Sequence, residues 1–127
     1  MQDPNQFLIV EQPEAQLHPT AQLELGSFFG ELWSRHHVPS LIETHSGNIL
    51  LRLRNLVKKR LLRADDISVA YFTIEEVKQK HKPPFRSVVV KNLDVHKDGS
   101  LEKGLPMEFF GADVVEALSM RAKDARV

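Results

Sequence analysis

The residues Phe7-Leu8-Ile9-Val10 form an uninterrupted apolar run that stops at Glu11-Gln12-Pro13-Glu14. Side chains alternate between the two faces of an extended strand, so four apolar residues in succession suit a strand covered on both faces, as in a parallel sheet flanked by helices. The polar residues then fall at the carboxyl edge of that sheet. Pro19 favours the first turn of a helix opening at Leu17-His18-Pro19, and Leu25, Phe28, Phe29, Leu32 and Trp33 recur as an apolar stripe. These aromatics read as core. A second short apolar strand is expected over Val38 to Glu43, with Pro39 near its start and Glu43-Thr44-His45 at its polar end. Ser46 is a good N-cap for a following helix that carries Ile49, Leu50, Leu53, Leu56, Val57 and Leu61. Strand, helix, strand, helix is the order of an α/β unit with parallel strands.

The second half differs in character. Ile67 to Thr73 and Phe85 to Val95 are rich in β-branched and aromatic residues and read as strands, with Glu75 to Pro84 as a charged loop between them. Asp98-Gly99 signals a turn after which Ser100-Leu101 folds back. Pro106 to Arg126 reads as a loop and then a helix bearing Val114, Val115, Leu118 and Met120, with Phe109-Phe110 docking it onto the body. Two units are therefore expected, residues 1–64 and residues 65–127, the second a small α+β extension with a terminal helix. The chain has 127 residues, 42% of them apolar, enough to form a packed core. Lys and Arg number 17 and so do Asp and Glu, so the net charge is zero and any electrostatic partner must meet a local patch. The absence of cysteine excludes disulfides and thiolate chemistry and suits a reducing, cytoplasmic compartment. No apolar run is long enough for a secretion signal or a membrane span, so no membrane partner is expected.

Strand-end acids suit phosphoryl chemistry, because a carboxylate at the carboxyl edge of a buried strand can hold the magnesium that neutralises nucleotide phosphates. Glu11 stands at such a point. His45 lies at the end of the next strand, where it could hydrogen-bond a terminal phosphate or hold an attacking water, and the helix after Ser46 adds its positive end. Polar strand ends also occur in sheets that bind nothing.

The run FLIVEQPEAQLHPTAQLEL followed by VPSLIETHSGNILLRL closely resembles the Walker B, D-loop and switch-histidine segment of ABC-class AAA ATPases, those related to the overcoming-lysogenisation-defect and SMC-type families. The stretches AYFTIEE, VVVKNLDVHKDGSL and PMEFFGAD resemble the small C-terminal domain of unknown function found in one branch of these proteins. The resemblance implies a partial P-loop NTPase core and covers nearly the whole chain. It implies Glu11 as the Walker B acid at magnesium, and Gln12 where the family usually has the carboxylate that polarises water. Glutamine can orient a water but cannot take its proton, so Glu14 is the alternative. Leu17 and His18 match the D-loop that crosses a dimer interface, His45 matches the switch histidine at the γ-phosphate, and Ser46 is expected beside the nucleotide. The cofactor implied is Mg-ATP.

The sequence contains no G-x-x-x-x-G-K-[ST] motif. Gly99-Ser100-Leu101-Glu102-Lys103-Gly104 has the glycine spacing, but Leu105-Pro106 follows where Lys and Ser or Thr are needed. The expectation is the C-terminal portion of an ATPase, inactive by itself, partnered by a P-loop portion or by further copies through exposed strand edges. A second reading, from a different class, is a non-catalytic module binding protein or nucleic acid. It would use the basic segment 52–63, where Arg52, Arg54, Lys58, Lys59, Arg60 and Arg63 stand with no acid, whereas residues 1–34 hold five acids and no Lys or Arg. The same segment also fits the solvated face of an amphipathic helix. A metal site from His36, His37 and His45 is not expected, since adjacent loop histidines point apart.

Overall fold

The computed structural model describes residues 5–102, 116 and 119–121. The described elements follow the order β1 (Leu8–Glu11), α1 (Pro19–His36), β2 (Ser40–Glu43), α2 (Gly47–Lys58), a 3-10 turn (Ala64–Asp66), β3 (Val69–Gln79) and β4 (Lys82–Leu93). They form a mixed α/β structure with one parallel and one antiparallel sheet. β1 and β2 pair in parallel, Leu8 against Ser40 through Glu11 against Glu43. The parallel partner is reached through α1, as a parallel connection requires.

Helix boundaries follow local chemistry. Pro19 opens α1 with His18 as N-cap, and the left-handed backbone at His37 closes it. Ser46 caps α2, its hydroxyl accepting the Ile49 N–H at 3.3 Å. At the other end Arg60 adopts φ 61°, with Arg60 N–H bonded to the Val57 carbonyl and Leu61 N–H to the Leu56 carbonyl. This is a Schellman closure with arginine where glycine is usual.

The two helices pack closely because α1 presents Gly26 and Gly30 one turn apart. A Cβ on Gly26 would lie 2.7 Å from Arg52 Cβ and 2.9 Å from the Ile49 carbonyl, and one on Gly30 would lie 2.6 Å from Leu56 Cδ1. Phe29, Ile49, Val57 and Leu62 are buried here. Phe28, expected in the core, is 52% exposed while Phe29 is 5% exposed, because the Gly26–Phe29–Gly30 edge faces α2 and turns Phe28 outward. Likewise Leu61 lies beyond the helix end and is exposed, and Leu62 takes the buried place.

Two further expectations are corrected. β1 and β2 are not covered on both faces: Leu8, Val10 and Ile42 are partly buried, whereas Ile9 is 64% and Leu41 60% exposed. One side of the pair is thus partly covered and the other is open to solvent. The second correction concerns Glu75 to Pro84, which is not a loop. β3 and β4 form one long hairpin, Val69 against Leu93 to Gln79 against Lys82, turning at Lys80-His81 with His81 at φ 65°. Between Val77↔Phe85 and Gln79↔Lys82 the register slips by one residue, so a bulge on β4 absorbs the extra residue at Pro83-Pro84.

Among the described residues, only the hairpin base joins the body. Val69, Tyr71 and Val95 pack against the buried cluster of Leu50, Leu93 and Leu101, so α2 and the base share one small core. The outer face of the arm carries Phe72 opposite Val90 and Ile74 opposite Val88, all exposed. Val95 bridges to Leu101 across the Asp98-Gly99 turn, as the sequence predicts, although β4 itself ends at Leu93. Arg54 donates to the Gly99 carbonyl at 2.8 Å, fixing that turn to α2. Of the expected terminal helix, Glu116 and Ser119–Arg121 are helical; Pro106, Phe109, Phe110, Val114, Val115 and Leu118 lie outside the described residues.

Candidate functional site

The parallel pairing puts the carboxyl ends of β1 and β2 side by side, with Glu11 directly across from Glu43. Both side chains are exposed and share the open face of the sheet. Two neighbouring carboxylates repel one another, so this end of the sheet favours a cation. The pairing partner Glu43 was not singled out in the sequence; its signal was there, since both apolar strands end in glutamate.

After β1 the chain makes a tight loop. Gln12 has φ 44° and Gln16 φ 63°, two left-handed non-glycine residues within five positions. Each costs about 1–2 kcal/mol relative to ordinary backbone. Such strain persists only where surrounding contacts hold it, and it concentrates at ligand sites. The contacts are visible here: Gln12 N–H donates to the Glu43 carbonyl at 2.8 Å, Ala15 N–H to the Gln12 carbonyl at 3.1 Å and Leu17 N–H to the Glu14 carbonyl at 2.9 Å. The Gln12 side chain is exposed.

Glu14 connects the two strand ends. Its Oε1 accepts the His45 backbone N–H at 2.7 Å, while Oε2 is buried with no hydrogen-bond partner. The loop after β1 is thereby tied to the loop after β2, and His45 keeps an exposed side chain. Thr44 Oγ1 accepts the Ser46 N–H at 2.9 Å and shapes the approach to α2. Ser46, which is 4% exposed, donates its hydroxyl to Gln22 Oε1 at 2.7 Å.

Gln22 is the hub that the sequence reading missed. Its Oε1 also accepts from Asn48 Nδ2 at 3.2 Å, and its Nε2 donates to the Leu17 carbonyl at 3.0 Å. One amide thus ties the Leu17–His18 turn, the first turn of α1 and the start of α2 together. A polar residue one turn into an amphipathic helix beside two strand ends is the signal that could have revealed it. The structure therefore brings Glu14, His45, Ser46 and Leu17 into one connected network, with Glu11 at the adjoining strand end. Among the described residues no hydrogen bond or ion pair joins Glu11 to His45, and no group of three His, Asp or Glu side chains could hold a metal alone.

The glycine string at Gly99 is a turn, not a phosphate cradle. Asp98 Oδ1 accepts from Ser100 N–H at 2.9 Å and from its hydroxyl at 2.6 Å. These bonds hold the Asp98 carboxyl below the ordinary aspartate range. In the basic segment, Arg52 donates to Ser27 Oγ at 2.8 Å, Arg54 to Gly99, and Arg63 pairs with Asp65 at 3.5 Å. Half of those six cations thus have partners within the chain.

Comparison with protein-family models, with curated proteins and with solved structures finds no match. Among the described residues no helix is long and apolar enough to cross a membrane.

Proposed function

We propose that this chain supplies the magnesium-side acid and the γ-phosphate histidine of an ABC-class ATPase, and turns over ATP only with a P-loop portion. The observation that carries this reading is the Glu14–His45 bond, which fastens the loop after β1 to the loop after β2 and so sets the position of one relative to the other. The resemblance to the Walker B and switch-histidine segments assigns roles to these same two loops. The uncovered face of β1 and β2, with Ile9 and Leu41 exposed, offers a surface on which further strands or a second copy could pack.

Oxygen donors suit magnesium, and the paired Glu11 and Glu43 meet that requirement in part. Glu11 would hold the ion together with ligands from the P-loop portion and the phosphates; the ion, when bound, neutralises phosphate charge. His45, exposed beside the start of α2, would donate to the terminal phosphate, with Ser46 capping the helix whose N–H groups face it. Gln12 would orient the water. Glu14, which accepts the His45 N–H, would act as the tether that holds His45 in place; its second oxygen is buried, away from a water at the open strand ends.

Equilibrium binding of a fluorescent ATP analogue tests the proposal, using the chain alone and the chain mixed with a polypeptide that carries a strand followed by G-x-x-x-x-G-K-[ST]. The expected result is no binding alone and magnesium-dependent binding by the pair, weakened at least tenfold by Glu11→Gln. Binding by the pair that is indifferent to magnesium and to Glu11→Gln would overturn it.

A further inference from the structure

The outer part of the β3–β4 arm concentrates positive charge. From Val77 to Leu93 the sequence holds five Lys and Arg residues and no acid, in a chain of zero net charge. Lys78, Lys80, Lys82 and Arg86 are all exposed, and none takes part in the ion pairs among the described residues. Glu75, lower on the arm, is paired with Lys91. In the segment 52–63, Arg52, Arg54 and Arg63 have partners within the chain, and the exposed Lys58, Lys59 and Arg60 at the end of α2 form a smaller basic group that serves as the control.

Geometry adds to charge. At about 3.3 Å per residue the arm reaches about 33 Å from its base, and among the described residues only the base packs on the body. Arg86 shares a face with Glu76, and Lys78 is two residues further along that face. Beyond the bulge Lys82 shares the opposite face with Gln79, and Lys80-His81 forms the turn between them. The cations therefore surround the tip on both faces. A flat anionic membrane would meet one face of such a ribbon, whereas a groove lined by phosphates on both walls would meet both. A two-stranded ribbon fits the major groove of a duplex.

We propose that the tip of this hairpin binds double-stranded nucleic acid, entering a groove and contacting backbone phosphates through Lys78, Lys80, Lys82 and Arg86. The inference goes beyond the nucleotide reading and does not depend on it. Four phosphate contacts give a log–log salt slope of about −3.6, so affinity falls about a hundredfold between about 50 and 200 mM salt. Fluorescence anisotropy of a labelled random-sequence DNA duplex, with the full chain and no nucleotide, tests this. The expected result is that slope, abolished together with binding in Lys78→Gln/Lys80→Gln/Lys82→Gln/Arg86→Gln. The single change Lys80→Gln at the turn, which leaves the strands intact, lowers the slope by about one. Changing Lys58, Lys59 and Arg60 to Gln leaves affinity within about twofold, because the contacts lie on the arm. Duplex binding lost in that helix variant, a slope unchanged by the arm variants, or binding to phosphatidylserine vesicles but not to duplex would each overturn the proposal.

Discussion

Replacing Glu14 tests whether the two strand-end loops are one unit. Glu14→Ala removes the carboxylate that accepts the His45 N–H at 2.7 Å, together with the buried second oxygen. A hydrogen bond to a charged group contributes about 1.5–3 kcal/mol. Glu14 is only partly buried and solvent replaces some of that, so the expected cost is about 1–2 kcal/mol. Because every 1.4 kcal/mol is tenfold in an equilibrium, opening of the loop should rise about tenfold. The assay is native-state hydrogen exchange at the His45 amide, with chemical denaturation alongside. Glu14→Ala should speed exchange at His45 about tenfold while leaving β3 and β4 amides unchanged, and Glu14→Gln, which keeps an acceptor oxygen, should lose less than half as much. If both variants exchange at the wild-type rate, the carboxylate does not join the loops and the site argument fails.

Four further outcomes follow from the packing and the turns. Gly26→Ala should destabilise by about 1–2 kcal/mol, because its Cβ meets the Ile49 carbonyl and Arg52 Cβ, and the helix-propensity gain offsets only part of that. Gly30→Ala meets side-chain ends and no backbone, Leu56 Cδ1 at 2.6 Å and Leu62 Cδ1 at 3.4 Å, and should lower denaturation midpoints less than Gly26→Ala. Arg60→Gly should stabilise by about 0.5–1 kcal/mol in thermal melts, since glycine adopts the left-handed φ without strain. The Asp98 carboxyl, held below its ordinary value by Ser100, favours the folded turn above the unfolded-state pKa. That contribution is lost as pH falls through the folded value, and an NMR titration should show Asp98→Asn and Ser100→Ala flattening this acid-side dependence.

The first four elements were legible because their signals are local. Pro19 and Ser46 mark helix starts by their own backbone and hydroxyl chemistry, and the two apolar runs end at their glutamates. The inner halves of β3 and β4 were legible from their β-branched residues, but the outer half of the hairpin was not, because Pro83-Pro84 reads as a chain breaker. In a two-stranded ribbon, outward positions need no N–H donor, and a bulge accommodates both prolines. Nor could apolar composition report that Ile9 and Leu41 are uncovered, since it records what a side chain favours and not what lies over it. The Glu14–His45 bond spans 31 residues and depends on the parallel register, which no local pattern encodes.

The most direct test of the account is phosphate release by the chain combined with its P-loop portion at saturating Mg-ATP. His45→Ala should lower kcat about 10²–10³-fold, as losing one donor to a developing charge does elsewhere. Lys59→Gln, on the exposed end of α2, should leave turnover unchanged. Wild-type turnover by His45→Ala in that pair would contradict the assignment of the strand-end loops to ATP hydrolysis.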